Sequence, residues 1–364
     1  MTAPFPLIEL AGRPHERGLA YGTQAAERIA LGLQVYADLF ALPGLEDRAR
    51  RYFAALEAYD HDLADEMRGI AEGARQPLEA VVALNARTEL GGWDSSAAPS
   101  DECTAALAMP ERTGGALLHG QNWDWRPACV ATSVVLRIRG EDGPDIMTLC
   151  EAGQLARHGF NSEGIALTAN GLQTADEGVG VGGGDGVCSP FIRRRILQSR
   201  SLAGAIGALL VAPRSASHNI MLSHAGGPGA SEAVNLETTP RNAYWSFPES
   251  GLLTHANHFK SPLALAAVED VGLLRHPESL LRDKRARDQL DRDGCAVTLD
   301  SFKRAFADRY GAPDSICRSP AQRTDGSLSA TVASLVMDAS AGRMWIAPAP
   351  YLDGAHYTEY RLHG

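Results

Sequence analysis

The character of the chain changes abruptly at residues 94–101, where Asp94-Ser95-Ser96-Ala97-Ala98-Pro99-Ser100-Asp101 is small, polar and turn-forming. Such a stretch marks an exposed connection rather than an element. Before it, from residue 14 to about 90, the spacing is helical. Ala20, Gln24, Ala25 and Ile29 recur at turn spacing, and Leu33, Tyr36, Leu39 and Phe40 extend an apolar stripe. Further helices are predicted over 49–61 and 63–74, and Pro77-Leu78-Glu79 opens another with an acidic residue in its first turn. After the connection come strand-like runs at 104–109, 116–121, 133–139, 146–151 and 165–170.

The later chain mixes both kinds: helices over 189–208, 277–293 and 299–308, strands over 218–224 and 233–237, and a closing hairpin from 330–338 and 342–347. Strands and helices gathered in separate runs predict α+β layers, not a doubly wound parallel sheet. At 364 residues and 45% hydrophobic the chain can bury a sizeable core.

A net charge of −10 leaves no general footprint for nucleic acid or an anionic membrane. The two basic clusters, Arg193-Arg194-Arg195 and Arg282-Asp283-Lys284-Arg285-Ala286-Arg287, are expected to be solvated helix faces. Residues 1–10 lack the basic and apolar parts of a secretory signal and no run approaches a membrane span, so a cytoplasmic location is the expectation. The six cysteines, at 103, 129, 150, 188, 295 and 317, show neither a CxxC pair nor a disulfide framework. No metal or bound cofactor is expected.

Cys103 stands apart because it opens a strand straight after the polar connection, whereas structural cysteines normally sit inside an apolar pattern. On spacing alone, a nucleophile and a small strand-starting residue are both open. The ordered blocks Cys103-Thr104, Gly120-Gln121-Asn122-Trp123-Asp124, Glu151-Ala152-Gly153, Gly159-Phe160-Asn161-Ser162 with Gly164, Leu253-Thr254-His255-Ala256-Asn257-His258 and Ser315-Ile316-Cys317-Arg318 carry more. This set resembles the isopenicillin N acyltransferase family of autoproteolytic N-terminal-nucleophile enzymes.

The resemblance implies an αββα sandwich of two stacked antiparallel sheets between helical layers. It also implies a precursor split before Cys103 into a helical α chain, 1–102, and a β chain, 103–364, interlocked as one domain. The Cys103 thiol attacks the Glu102 carbonyl, and the freed α-amino group, with an ordinary pKa of about 7.7 to 8.0, becomes the base for that thiol. By motif, Asp124 matches an aspartate acting on the new amino group. Asn257 matches an asparagine whose NH2 donates to the oxyanion. Arg318 matches an arginine that depresses the thiol pKa, and Asn170 a second oxyanion contact. Singly, such residues are ordinarily turn, cap or surface ion-pair residues; the ordered set gives them roles. A well-known member has glycine where this chain has Glu102, whose carboxylate either alters processing or assists it.

Trp123, Ser217 and His218 are expected to line the substrate site. The acyl-thioester on Cys103 would be resolved by water, giving an amidase for a small N-acyl amide, or by an amine, giving an acyltransferase; hydrolysis is favoured, with a coenzyme A thioester possible as a substrate. Two rivals stand beside this. One is a papain-like pairing of Cys103 with His218 or His255 and no chain cleavage; the other is an inactive binding relative. The GxGxxG match at 178–183 lacks both the preceding strand and the acidic partner of a dinucleotide site. Asp291-Arg292-Asp293-Gly294 lacks the remaining ligands of a calcium loop.

Overall fold

The computed structural model describes residues 3–91, 102–175, 177, 186–226, 229–294, 296–322 and 328–363, with backbone alone at 91 and 293. The connection at 94–101, the glycine run at 178–183 and Cys295 lie outside the described residues. A short strand, β1 (Leu7–Leu10), leads into helices α1 (Pro14–Val35), α2 (Ala37–Phe40), α3 (Leu45–Tyr59), α4 (His61–Ala74), α5 (Leu78–Asn85) and α6 (Arg87–Gly91). The body begins with β2 (Glu102–Ala108), α7 (Pro110–Thr113), β3 (Leu118–Trp125), α8 (Cys129–Thr132), β4 (Ser133–Ile138), β5 (Ile146–Glu151), β6 (His158–Asn161) and β7 (Ile165–Gly171). Helices α9 (Ser189–Leu197) and α10 (Leu202–Val211) precede β8 (His218–His224), β9 (Glu232–Thr238), β10 (Ala243–Ser246) and β11 (Leu252–His255). The chain closes through α11 (Pro262–Ala267), α12 (Val271–Arg275), α13 (Ser279–Leu290), α14 (Leu299–Phe306), β12 (Ala321–Gln322), β13 (Leu328–Asp338), β14 (Arg343–Pro348) and β15 (Thr358–Arg361).

The strands form two sheets, β1-β4-β5-β6-β7-β8-β9-β10 and β11-β2-β3-β13-β14-β15 with β12 on β13. One face of the first sheet packs against α9 and α10, and one face of the second against α13 and α14. The two remaining faces meet where β2 and β3 cross β7. The architecture is therefore α+β, two stacked sheets between helical layers. Among the described strands the pairings are antiparallel except one: β1 lies parallel to β4, with Leu7 opposite Val135 and Leu10 opposite Ile138.

Side-chain alternation along β2 and β3 divides their labour. Ala105 and Leu107 pack with Met221 and Ala233 of the first sheet, while Ala106 and Ala108 pack with Phe302, Phe306 and Ala286 on the helical side. Alanines at these positions keep both approaches close.

The predicted helix over 189–208 is two helices, because Ser201 caps α10 by accepting a hydrogen bond from the Gly204 N–H at 3.1 Å. The two basic clusters also differ from expectation. Arg193, Arg194 and Arg282 are buried. Arg194 meets the equally buried Glu66 at 2.9 Å, and Arg282 shares an inward stripe of α13 with Ala286 and Leu290.

Candidate active site

The five residues Gly120 to Asp124 lie within β3, and each does a separate job. A Cβ on Gly120 would stand 2.6 Å from the Leu335 carbonyl oxygen and 2.9 Å from the Phe306 ring, so glycine lets α14 rest on the strand. Gln121 reaches the other sheet, donating to the Ala169 carbonyl at 2.7 Å. Asn122 donates to the carbonyls of Phe306 (2.8 Å) and Ile316 (2.9 Å), anchoring the segment that leads to Arg318. Trp123 stands directly across from Cys103, and Asp124 across from Glu102. Cross-strand partners share a face. Cys103 and Trp123 therefore look toward the first sheet, and Glu102 and Asp124 toward the helical side.

Cys103 is fully buried and its backbone is held from two directions. Its N–H donates to Asn257 Oδ1 at 2.8 Å. Its carbonyl oxygen accepts from Arg282 Nη1 at 2.7 Å, and the same nitrogen donates to Thr104 Oγ1 at 3.1 Å. The other Arg282 terminal nitrogen donates to Asn257 Oδ1 at 2.9 Å, while Asn257 Nδ2 donates to the Gly171 carbonyl at 3.0 Å. Two donors on one side of the amide and an acceptor on the other fix its orientation. The Asn257 oxygen, not its NH2, thus faces the Cys103 nitrogen. The Ser279 hydroxyl ties the arrangement to α13, accepting from the Asn257 N–H at 2.7 Å and contacting His258 Nδ1 at 2.7 Å.

On the helical side, carboxylates and cations alternate around the peptide between residues 102 and 103. Arg318 pairs with Glu102, with Asp124 at 3.3 Å and with Glu278 at 3.0 Å. Arg282 lies 3.7 Å from Glu102, and His276 lies 3.4 Å from it. A β-bulge between Thr331 and Ala333 of β13 aims the Thr331 hydroxyl at Asp124, to which it donates at 2.6 Å. Burial pushes the Asp124 carboxyl up to about 6, against the opposing pull of Arg318, Arg282 and Thr331. Burial would also raise Glu278, but the His276 hydrogen bond and the two arginines hold it at about 2. Burial works against the charge of Arg318, yet the carboxylates of Glu102, Asp124 and Glu278 raise its pKa. Glu102, His276 and Glu278 are close enough together to suggest a metal triad. Two buried guanidiniums already fill the role a cation would have there, so the donor set does not fit one.

The structure thus gathers Glu102, Cys103, Asp124, Asn257 and Arg318 around one peptide bond. Asn170 lies at the edge of this group: its NH2 donates to the His255 carbonyl at 3.1 Å, and its neighbour Gly171 receives the Asn257 NH2. Trp123 is fully enclosed beneath the Arg157 guanidinium, 4.2 Å from its ring centroid. Ser217 and His218 lie beyond β7, where Ser217 binds the Glu177 carboxylate through its N–H at 2.9 Å and His218 borders a small cleft with Glu89, Arg193 and Arg214. Both ring nitrogens of His255 are engaged, Nε2 by Glu237 and Nδ1 by the Ala256 carbonyl, each at 2.9 Å. Arg282, Thr331, His276 and Glu278 escape sequence reasoning. For Arg282 the available signal was its spacing of four from Ala286 and eight from Leu290 on one helix face.

The profile of the acyl-coenzyme A:6-aminopenicillanic acid acyl-transferase family matches residues 111–349. A relative from Emericella nidulans, the 40 kDa form of acyl-coenzyme A:6-aminopenicillanic-acid-acyltransferase, is 28% identical over 344 residues, covering 91% of this chain and 89% of the relative. Among solved structures, a conjugated bile acid hydrolase mutant from Clostridium perfringens is similar with a TM-score of 0.48 and 11% identity, over 72% of this chain and 94% of its own. A Caenorhabditis elegans ortholog of N-acylethanolamine-hydrolyzing acid amidase scores 0.45 at 13% identity, over 65% and 93%. Penicillin V acylase from Agrobacterium tumefaciens scores 0.44 at 15% identity, over 68% and 83%.

Proposed function

Because the chain belongs to the acyl-coenzyme A:6-aminopenicillanic acid acyl-transferase family, we propose that it is made as a precursor, cuts itself between Glu102 and Cys103, and then carries acyl groups on the Cys103 sulfur. The observation that carries this reading is the two-sided grip on Cys103, with Asn257 on its nitrogen and Arg282 on its carbonyl oxygen. Main-chain groups at the start of an ordinary strand need no such clamp of buried side chains.

In the first reaction the Cys103 sulfur attacks the Glu102 carbonyl carbon. A C–S bond forms, the C–N bond breaks, and the thiol proton ends on the Cys103 nitrogen. Water then hydrolyses the thioester, leaving a carboxylate on Glu102 and the thiol on Cys103. The freed amine remains beside Asn257 Oδ1 and serves as base for its own sulfur. In turnover the sulfur takes the acyl group of a small N-acyl amide; the amine accepts the thiol proton and passes it to the leaving nitrogen. Water resolves the second thioester in an amidase, and an amine resolves it in a transferase. The relative's name makes an acyl-coenzyme A thioester an alternative donor. A papain-like pair is disfavoured, since the His255 nitrogens already bind Glu237 and a carbonyl and His218 borders the cleft with Arg193 and Leu209 of the helices packed on the first sheet.

Intact-mass measurement tests the cut. Wild-type protein is expected as fragments of about 11 and about 28 kDa, the shares of 38.7 kDa for residues 1–102 and 103–364, and Cys103→Ala as one chain. An active, uncut wild-type chain would refute the proposal. Adding hydroxylamine to an amide turnover assay then separates transfer from hydrolysis.

A further inference from the structure

We propose that the buried cation cluster holding the Glu102 side chain in the uncut chain becomes, after cleavage, a binding site for the carboxylate of an acidic acyl group, and that glutaryl amides are the class it fits. The inference rests on the cleavage proposed above and adds the acyl specificity of the same site.

Three observations converge. The Glu102 carboxylate is almost fully buried and touches three basic side chains: Arg318 directly, His276 at 3.4 Å and Arg282 at 3.7 Å. Such a cage around one carboxylate is a built anion site. The second observation is charge. When Glu102 departs, Asp124 and Glu278, with Asp314 at the partly exposed rim, are left to face Arg282, Arg318, His276 and the new Cys103 amine. Arg318 keeps Asp124 and Glu278 as partners, but it and Arg282 both lose the carboxylate they share, and a second anion in the vacated place restores that pairing.

The third is connectivity. Glu102 is the first acyl group that the Cys103 sulfur meets, because its carbonyl carbon is the one attacked. From that carbon the chain runs through Cα, Cβ and Cγ to a carboxylate, which is the skeleton of a glutaryl group. A substrate carbonyl presented to the same sulfur from the same side places a glutaryl carboxylate on the same guanidiniums. A neutral acyl chain of equal length leaves them empty.

Two measurements on the processed protein decide it. Calorimetric titration with 5-oxohexanoate, the methyl ketone of a glutaryl group, and with 2-hexanone, its uncharged counterpart, reads the site without catalysis. 5-Oxohexanoate is expected to bind at least about tenfold more tightly, with the difference reduced in His276→Gln. For kcat/KM, a glutaryl amide is expected to exceed the valeryl amide of the same amine by a similar factor. Equal binding of the two ketones, or no 5-oxohexanoate binding because Glu102 of the cut chain keeps its place, overturns the acyl assignment. Turnover of the valeryl amide would then leave the enzyme reading intact. 5-Oxohexanoate binding with no turnover of any amide or thioester does the opposite.

Discussion

Arg282 shows how much one side chain can organise. Its two terminal nitrogens reach the Cys103 carbonyl oxygen, Thr104 and the Asn257 amide oxygen, so it aligns both halves of the Cys103 backbone. Arg282→Met is expected to slow chain cleavage by about a hundredfold, the order reported for removing a preorganised donor, with Arg282→Lys retaining more; a time course of intact mass measures both. Asp124 is expected to give the proposed cleavage a pH dependence, read from fragment yield against pH. With its carboxyl at about 6, cleavage that uses the ionised form falls as pH drops below that value, and Asp124→Asn abolishes this acid limb. For stability the sign is the reverse. A carboxyl raised from 3.8 to about 6 on folding contributes most below pH 3.8 and loses that contribution as pH rises through about 6. Cys103, Asp124, Asn257 and Arg318 were legible because each stands in an ordered motif. Arg282 was hidden in a basic run, where the sequence displays charge but not which residue of a turn faces inward. The Asn257 orientation was illegible too, since it depends on partners 25, 86 and 154 residues away.

Between elements, α1 and α4 meet closely through glycines. A Cβ on Gly18 would stand 2.1 Å from the Glu66 carbonyl oxygen, on Gly22 2.2 Å from that of Ile70, on Gly69 2.2 Å from that of His15 and on Gly73 2.3 Å from that of Leu19. Backbone meets backbone, and no flexible side chain can yield. Gly22→Ala is therefore expected to destabilise the protein by about 1–3 kcal/mol, read as a lower midpoint in urea unfolding. Long periodic helices and strands were visible in the sequence. The four-residue strands β1, β6, β10, β11 and β15 were not, because so few residues give no period to read.

At the scale of the molecule, buried polar contacts stitch residues before 102 to the body. Tyr36 donates to Glu151 at 2.6 Å and accepts from Trp125 at 2.6 Å, Arg87 meets Glu151 at 2.7 Å, and Glu66 lies between Arg17 and Arg194. Arg87→Ala leaves a buried carboxylate without its guanidinium and is expected to cost about 3–5 kcal/mol, measured by denaturant unfolding. The parallel seat of β1 beside β4 takes this further. Once the backbone is severed at the proposed site, a piece of one polypeptide completes the sheet of another, and the native state becomes a two-body complex. Its melting midpoint should then climb with protein concentration, whereas the Cys103→Ala chain melts at one temperature however dilute the sample.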